Sequence, residues 1–186
     1  PKWQLSFTSP SGWDFGGPSI GDLDGDGTPE IIFGNRVINS NGSLRWTGTG
    51  GFSSGGTHVN GSLSTVADIH LSGYPSVIVG GSAYGHTGAL LWRNNSVGDG
   101  ATAVGNFNDD PYPEIVVVSG GRVFLLNHNG AIIWGPVSIP GGGRGGAPTI
   151  ADFDGDGHPE IGVAGAVRYA VFESDGSLKW SSVTQD

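Results

Sequence analysis

A chain of 186 residues is long enough to bury a core, and 36 glycines, 11 prolines and short runs rich in Val and Ile argue for β structure. No segment sustains a helical apolar period, no run reaches membrane-spanning length, and the absence of cysteine removes disulfides and thiol chemistry. The formal charge of −9 disfavours nucleic acid and anionic membranes as partners, and no membrane insertion is expected.

In chain order, residues 1–7 (PKWQLSF) form a first short strand-like segment around Trp3. From Ser19 the chain reads SIGDLDGDGTPEIIFG, an apolar start, an acidic loop and a Val/Ile-rich strand, closed by NGSLRW at Trp46. The same order returns as TVADIHLSGYPSVIVG from Thr65 with TGALLW, as AVGNFNDDPYPEIVVV from Ala103 with NGAIIW, and as TIADFDGDGHPEIGVA from Thr149 with DGSLKW. The closing tryptophans Trp46, Trp92, Trp134 and Trp180 recur at intervals of 46, 42 and 46 residues, and Trp3 precedes the first by 43.

Each unit reads as four antiparallel strands, A to D, with the acidic loop joining A to B. Asn41-Gly42, Asn129-Gly130 and Asp175-Gly176 fall between strands C and D, where they predict two-residue type I′ hairpins. Four-stranded units at a period of about 40–50 residues describe the blades of a β-propeller. The expectation is therefore an all-β chain of four blades, with repeats at 8–50, 51–96, 97–138 and 139–186 in one propeller region spanning 1–186. Residues 1–7 would be the outer strand of a preceding blade. That spare strand implies either part of a larger propeller or completion by a neighbouring chain, with self-association through edge strands as one outcome.

Eleven of the 17 acidic residues lie in three A–B loops. A hard divalent cation such as Ca²⁺ needs about six to eight oxygen ligands from a tightly curled backbone. Carboxylates at loop positions 1, 3 and 5, a carbonyl at 7 and a closing carboxylate at 9 meet that need. Asp22, Asp24, Asp26, Thr28 and Glu30 fit it, as do Asp152, Asp154, Asp156, His158 and Glu160. The third loop offers Asn106, Asn108, Asp110, Tyr112 and Glu114, with fewer charges and Pro111 in place of a glycine, so a third ion would be weaker. The second, with Asp68, His70, Ser72 and Ser76, is expected to be metal-free. An EF-hand would carry its glutamate at position 12, which here is Phe33 or Val163.

An acid at position 9 followed by a β-strand resembles the FG-GAP/VCBS repeat family, of integrin α-subunit propellers and many bacterial surface proteins. The resemblance covers all four repeats, although the Phe-Gly and Gly-Ala-Pro landmarks are only partly present, as Phe33-Gly34 and Gly146-Ala147-Pro148. It implies structural calcium, an extracellular or cell-surface setting, and a non-enzymatic adhesion or recognition module. Some rhamnogalacturonan lyases resemble these repeats as well, which makes a polysaccharide lyase the alternative. Such an enzyme needs a base beside its calcium, and the sequence presents only His158 near an acidic loop.

Two further patterns carry no chemistry. Gly51-Phe-Ser53-Ser-Gly55 lacks the following helix of a nucleophile elbow, and the glycines from Gly141 to Gly146 precede a strand rather than a dinucleotide-binding helix. Long Gly-rich D–A connections lie opposite the acidic loops. Trp13, Phe52, Arg93 and Arg144 in these connections, with Tyr84 from a B–C turn on the same face, are the candidates for contacting a carbohydrate or protein ligand.

Overall fold

A computed structural model describes residues 3–4, 17–52 and 63–184. Among these residues there are sixteen strands and no helix. The first sheet contains β1 (Ser19–Gly21), β2 (Glu30–Phe33), β3 (Arg36–Ile38) and β4 (Leu44–Thr47). The second contains β5 (Thr65–Ala67), β6 (Ser76–Val79), β7 (Ser82–Tyr84) and β8 (Leu90–Arg93). The third holds β9 (Ala101–Gly105), β10 (Glu114–Ser119), β11 (Arg122–Leu126) and β12 (Ile132–Ser138). The fourth holds β13 (Thr149–Ala151), β14 (Glu160–Ala164), β15 (Arg168–Phe172) and β16 (Leu178–Val183). Each sheet is an antiparallel meander in chain order, so the four strands read from each repeat form one propeller blade.

The core lies between blades. Leu23, Ile32 and Val37 of blade 1 pack on Val77, Val79 and Tyr84 of blade 2. Ile78 and Ala83, on the other face of blade 2, pack on Ile115, Val117 and Leu126 of blade 3. Val116 and Leu125 then meet Ile161, Val163 and Phe172 of blade 4. Successive residues of one strand thus serve opposite junctions, which is why these B strands are continuously apolar rather than alternating.

Tryptophan joins each blade to the next. The indole N–H of Trp46 donates to the carbonyl of His86 at 3.0 Å, Trp92 to His128 at 2.9 Å and Trp134 to Ser174 at 2.8 Å. Each accepting carbonyl lies in the C–D turn of the following blade, two residues before a glycine with positive φ: Gly88, Gly130 and Gly176. A Cβ at any of these glycines would collide with the docked indole. Trp3 sits on the turn of blade 1 in the same way, 3.2 Å from the Ser40 carbonyl and against Gly42. The rest of residues 1–7, other than Gln4, lies outside the described residues.

The C–D turns are not type I′. Asn41, Asn129 and Asp175 do not adopt positive φ; only the glycines after them do. Gly42 N–H donates to Asn39 and Asn39 N–H to Ser43, and the same pair of bonds recurs at 85–89, 127–131 and 173–177. These are three-residue loops ending in a left-handed glycine. The added residue shifts the register, and each D strand takes up the shift in a bulge. The bulged residues, skipped between consecutive pairs, are Arg45, Leu91, Ile133 and Lys179.

Candidate metal centre

Each A–B loop is curled by its own side chains. In blade 4, Asp152 accepts the N–H of Gly155 at 2.6 Å on one oxygen and that of Gly157 at 3.0 Å on the other. Asp154 accepts from Asp156 N–H and Asp156 from His158 N–H. Carboxylate oxygens of Asp152, Asp154, Asp156 and Glu160 come to lie within 4.8 Å of one another. Blade 1 repeats the pattern: Asp22 accepts from Gly25, Asp26 and Gly27, and Asp26 from Thr28. Here Asp22, Asp24 and Glu30 converge within 4.8 Å, and Asp26 stays outside the group.

The glutamate at position 9 has a role that the sequence did not reveal. Glu160 is fully buried, with one oxygen accepting Phe153 N–H at 2.6 Å and the other 3.2 Å from Lys179 Nζ. Glu30 accepts Leu23 N–H at 3.0 Å and pairs with Arg45 at 3.0 Å. Lys179 and Arg45 are the bulged residues of their D strands, and each also contacts the position-3 aspartate, Asp154 or Asp24. Both oxygens of each glutamate are therefore engaged within the protein. The closing carboxylate at position 9 is thus also a staple between the loop and strand D, and it keeps an oxygen at the edge of the cluster. A basic residue beside each strong loop also corrects the reading that only His158 was near.

Charges follow this arrangement. The Lys179 hydrogen bond holds Asp154 below the ordinary carboxylate range, and Arg45 does the same for Asp24. The N–H groups of Gly157 and Gly155 lower Asp152. Lys179, bonded to Asp154 and Glu173, is pushed well above an ordinary lysine.

A hard cation suits this donor set. In blade 4 four carboxylates meet, and one lysine offsets a single charge, which leaves an anionic pocket of oxygen donors. In blade 1 the Oδ1 atom of Asp24 is buried and has no hydrogen-bond partner, as expected of an atom reserved for an ion. Asp152, Asp154 and Asp156, with Glu160 at the edge, would hold a metal in blade 4; Asp22 and Asp24, with Glu30, would hold one in blade 1.

The other two loops are locked differently. In blade 3, Glu114 accepts Phe107 N–H at 2.7 Å, and its second oxygen takes the side-chain amide of Asn108 at 2.6 Å, so a neutral donor replaces the cation. Burial raises the Glu114 carboxyl above its ordinary value. Asn108 and Asp110 spend side-chain oxygens on the N–H groups of Asp110 and Tyr112, and the loop gathers no cluster of three carboxylates. In blade 2, Asp68 accepts from Ser72 and Gly73, and Ser76 stands where the glutamate would be. Tyr74 stacks on His86 at 4.5 Å and Tyr112 on His128 at 4.1 Å, fastening each loop to its own C–D turn by aromatic contact.

The opposite face is less open than the sequence suggested. Tyr84 is fully buried and its hydroxyl donates to the Phe52 carbonyl at 2.7 Å, so it is core rather than ligand surface. Arg93 lies over the Phe52 ring at 4.5 Å and donates to the Gly50 carbonyl, which commits both residues to the blade 1–2 junction. Arg144 is exposed. Trp13 lies outside the described residues.

Comparison with known proteins agrees with the loops. Residues 106–163 match the FG-GAP-like repeat family, from the first position of the third acidic loop to the strand after the fourth. No curated protein sequence matches the chain. Among solved structures, the fold is similar to the Vibrio cholerae biofilm matrix protein Bap1, with a TM-score of 0.67 and 24% identity over 90% of this chain and 28% of that one. It is similar also to rhamnogalacturonan lyase YesW (TM-score 0.55, 17% identity, 85% and 30% coverage) and to a Bacillus licheniformis rhamnogalacturonan lyase (TM-score 0.53, 19% identity, 83% and 28%). The chain thus spans under a third of each of these proteins, and the likeness is one of fold. No helix among the described residues is long and apolar enough to cross a membrane.

Proposed function

We propose that this chain is a non-enzymatic, calcium-binding propeller module of extracellular or cell-surface type, whose ions fix blade geometry while another surface recognises carbohydrate or protein. The observation that carries the reading is the convergence of Asp152, Asp154, Asp156 and Glu160, repeated in part by Asp22, Asp24 and Glu30. Both sites lie in A–B loops stapled to strand D of the same blade, so an ion there braces one blade. A structural role for calcium follows from that position. Two ions fit the two clusters; the third loop, with its oxygens spent on its own backbone, is the weakest candidate.

The lyase reading is supported by the fold of the rhamnogalacturonan lyases but not by the chemistry beside the metal. Proton abstraction needs a base that is unprotonated at working pH. Lys179 is shared among Asp154, Glu160 and Glu173, which keeps it protonated, and Arg45 is likewise held by Asp24 and Glu30. The test is to incubate the calcium-loaded chain with rhamnogalacturonan and follow the ultraviolet absorbance of unsaturated product. The module reading predicts no turnover. Turnover lost in Lys179→Met would establish the lyase instead.

A further inference from the structure

Blade 2 keeps the frame of a metal-loop blade without its charges. Asp68 accepts the N–H groups of Ser72 and Gly73, as Asp22 and Asp152 accept those of their own loops. Leu71 stands where blades 1 and 4 place Gly25 and Gly155, and it holds the same left-handed conformation at a φ of 53°. His70 replaces the position-3 aspartate, Ser76 the position-9 glutamate, and Leu91 the bulged basic residue. Blade 3 keeps its glutamate, Glu114, so blade 2 alone lacks both ends of the staple. Where the staple would run, a pocket of about 210 Å³ opens between the A–B loop, the C–D turn and strand D. His70, Ser72, Tyr74, Ser76, His86 and Leu91 line it. Ser76 is only 4% exposed, and its hydroxyl makes no hydrogen bond among the described residues. A buried polar group without a partner asks for an explanation, and a ligand atom in the pocket supplies one.

We infer that this pocket binds one neutral sugar residue. No Lys, Arg, Asp or Glu lines it, Asp68 is spent on its own loop, and Leu91 stands in place of the cation. An anionic ligand therefore finds no counter-charge there, in a chain of net charge −9. A neutral sugar has an apolar C–H face and a rim of hydroxyls. Tyr74 and Leu91, 45% and 44% exposed, offer an apolar wall. The Ser76 hydroxyl and the imidazoles of His70 and His86 offer donors and acceptors. Both imidazoles are held in place: His86 stacks on Tyr74 at 4.5 Å, and His70 meets His128 of blade 3 edge-on at 5.6 Å. Rings positioned in advance lose little freedom when a ligand arrives. The pocket is smaller than the roughly 300–1,000 Å³ of sites for drug-sized ligands, so it takes a single ring, as a chain end or a branch. The inference rests on the recognition-module reading and gives its carbohydrate a place, in a blade that gathers no metal cluster among the described residues.

Imidazole ¹H–¹³C NMR spectra of the full chain in Ca²⁺ test this, with His70 and His86 assigned from His70→Gln and His86→Gln. The probes are the methyl glycosides of glucose, galactose, mannose and rhamnose, with galacturonate as the anionic control and Zn²⁺ as the control for a metal site. At least one glycoside is expected to shift both imidazoles saturably below about 10 mM, a range suited to a single-ring contact, and galacturonate to shift neither. Ser76→Ala should weaken that glycoside about three- to tenfold, the size of one lost hydrogen bond. Its Tm should be unchanged or raised, because the hydroxyl has no partner within the protein. No shift by any glycoside, an affinity unchanged in Ser76→Ala, or a response to Zn²⁺ alone would overturn the inference. A glycoside that gives saturation transfer without moving either imidazole would overturn the pocket and leave carbohydrate recognition standing elsewhere on the chain. No saturation transfer to any probe would overturn the pocket and count against carbohydrate recognition as well. None of these results bears on the calcium reading, which the loops of blades 1 and 4 carry.

Discussion

Lys179 reaches from a bulge in the last strand of blade 4 to the buried carboxylate of Glu160, 3.2 Å away, and Arg45 reaches Glu30 at 3.0 Å from the equivalent bulge in blade 1. Both acidic loops are thereby tied to the outer strand of their own blade by a charge pair on a buried glutamate. Removing one partner of such a pair leaves an uncompensated buried charge, which is costly. Lys179→Met should lower the melting temperature in EDTA, and Lys179→Arg should retain most of it. Calcium should narrow the gap between Lys179→Met and wild type, since the ion restores positive charge beside Glu160. An EDTA melt of Lys179→Met equal to wild type would remove the staple from this account.

The tryptophan joints carry a separate prediction. Trp92→Ala deletes a large side chain from the blade 2–3 junction and should cost about 3 kcal/mol, or a fall of roughly 10 °C in Tm. Gly130→Ala should also destabilise, because its φ of 78° disfavours a side chain and the added Cβ meets the Trp92 indole. Thermal melts of the two single variants and the double variant check the joint. The double should cost less than the sum, since both act on one contact.

Much of this was written in the sequence because propeller blades repeat. The period of the tryptophans, the glycine beside each of their seats and the Val/Ile runs of strand B fixed four units of four strands. The positions of Asp22 and Asp152 likewise announced the curled loops, since an aspartate followed by glycines at the fourth and sixth positions accepts their N–H groups. The partners of Glu30 and Glu160 were not legible. Arg45 and Lys179 reach them only because a three-residue turn shifts the register and forces a bulge, and the same dipeptides read as type I′ turns hide that shift. Tyr84 was misread for a related reason: with a hydroxyl bonded to a backbone carbonyl from a distant connection, a polar aromatic looks like surface in the sequence and is core in the fold.

Acid should unfold the calcium-free protein through the aspartates. Asp24, Asp152 and Asp154 have folded-state values depressed below the ordinary 3.8, so their contribution is complete above that value and is lost as pH falls through the depressed ones. Glu114 has the opposite sign. Its raised value means that ionisation opposes folding, and stability is lost as pH rises from the ordinary 4.5 through the folded value. Urea melts in EDTA across this range should show a rise from the acid side followed by a shallow decline. Glu114→Gln should flatten the decline and leave the acid limb in place. A decline unchanged in Glu114→Gln would assign it to another group.

The most direct test of the structural calcium reading is a thermal melt of the full chain in EDTA and in excess Ca²⁺, for wild type and for Asp154→Ala and Asp24→Ala. Binding to the folded state alone raises Tm with ion concentration. The account predicts a calcium-dependent rise in wild type and a smaller one in each variant, because each removes one of two sites. No rise in wild type, or a rise undiminished in both variants, would contradict it.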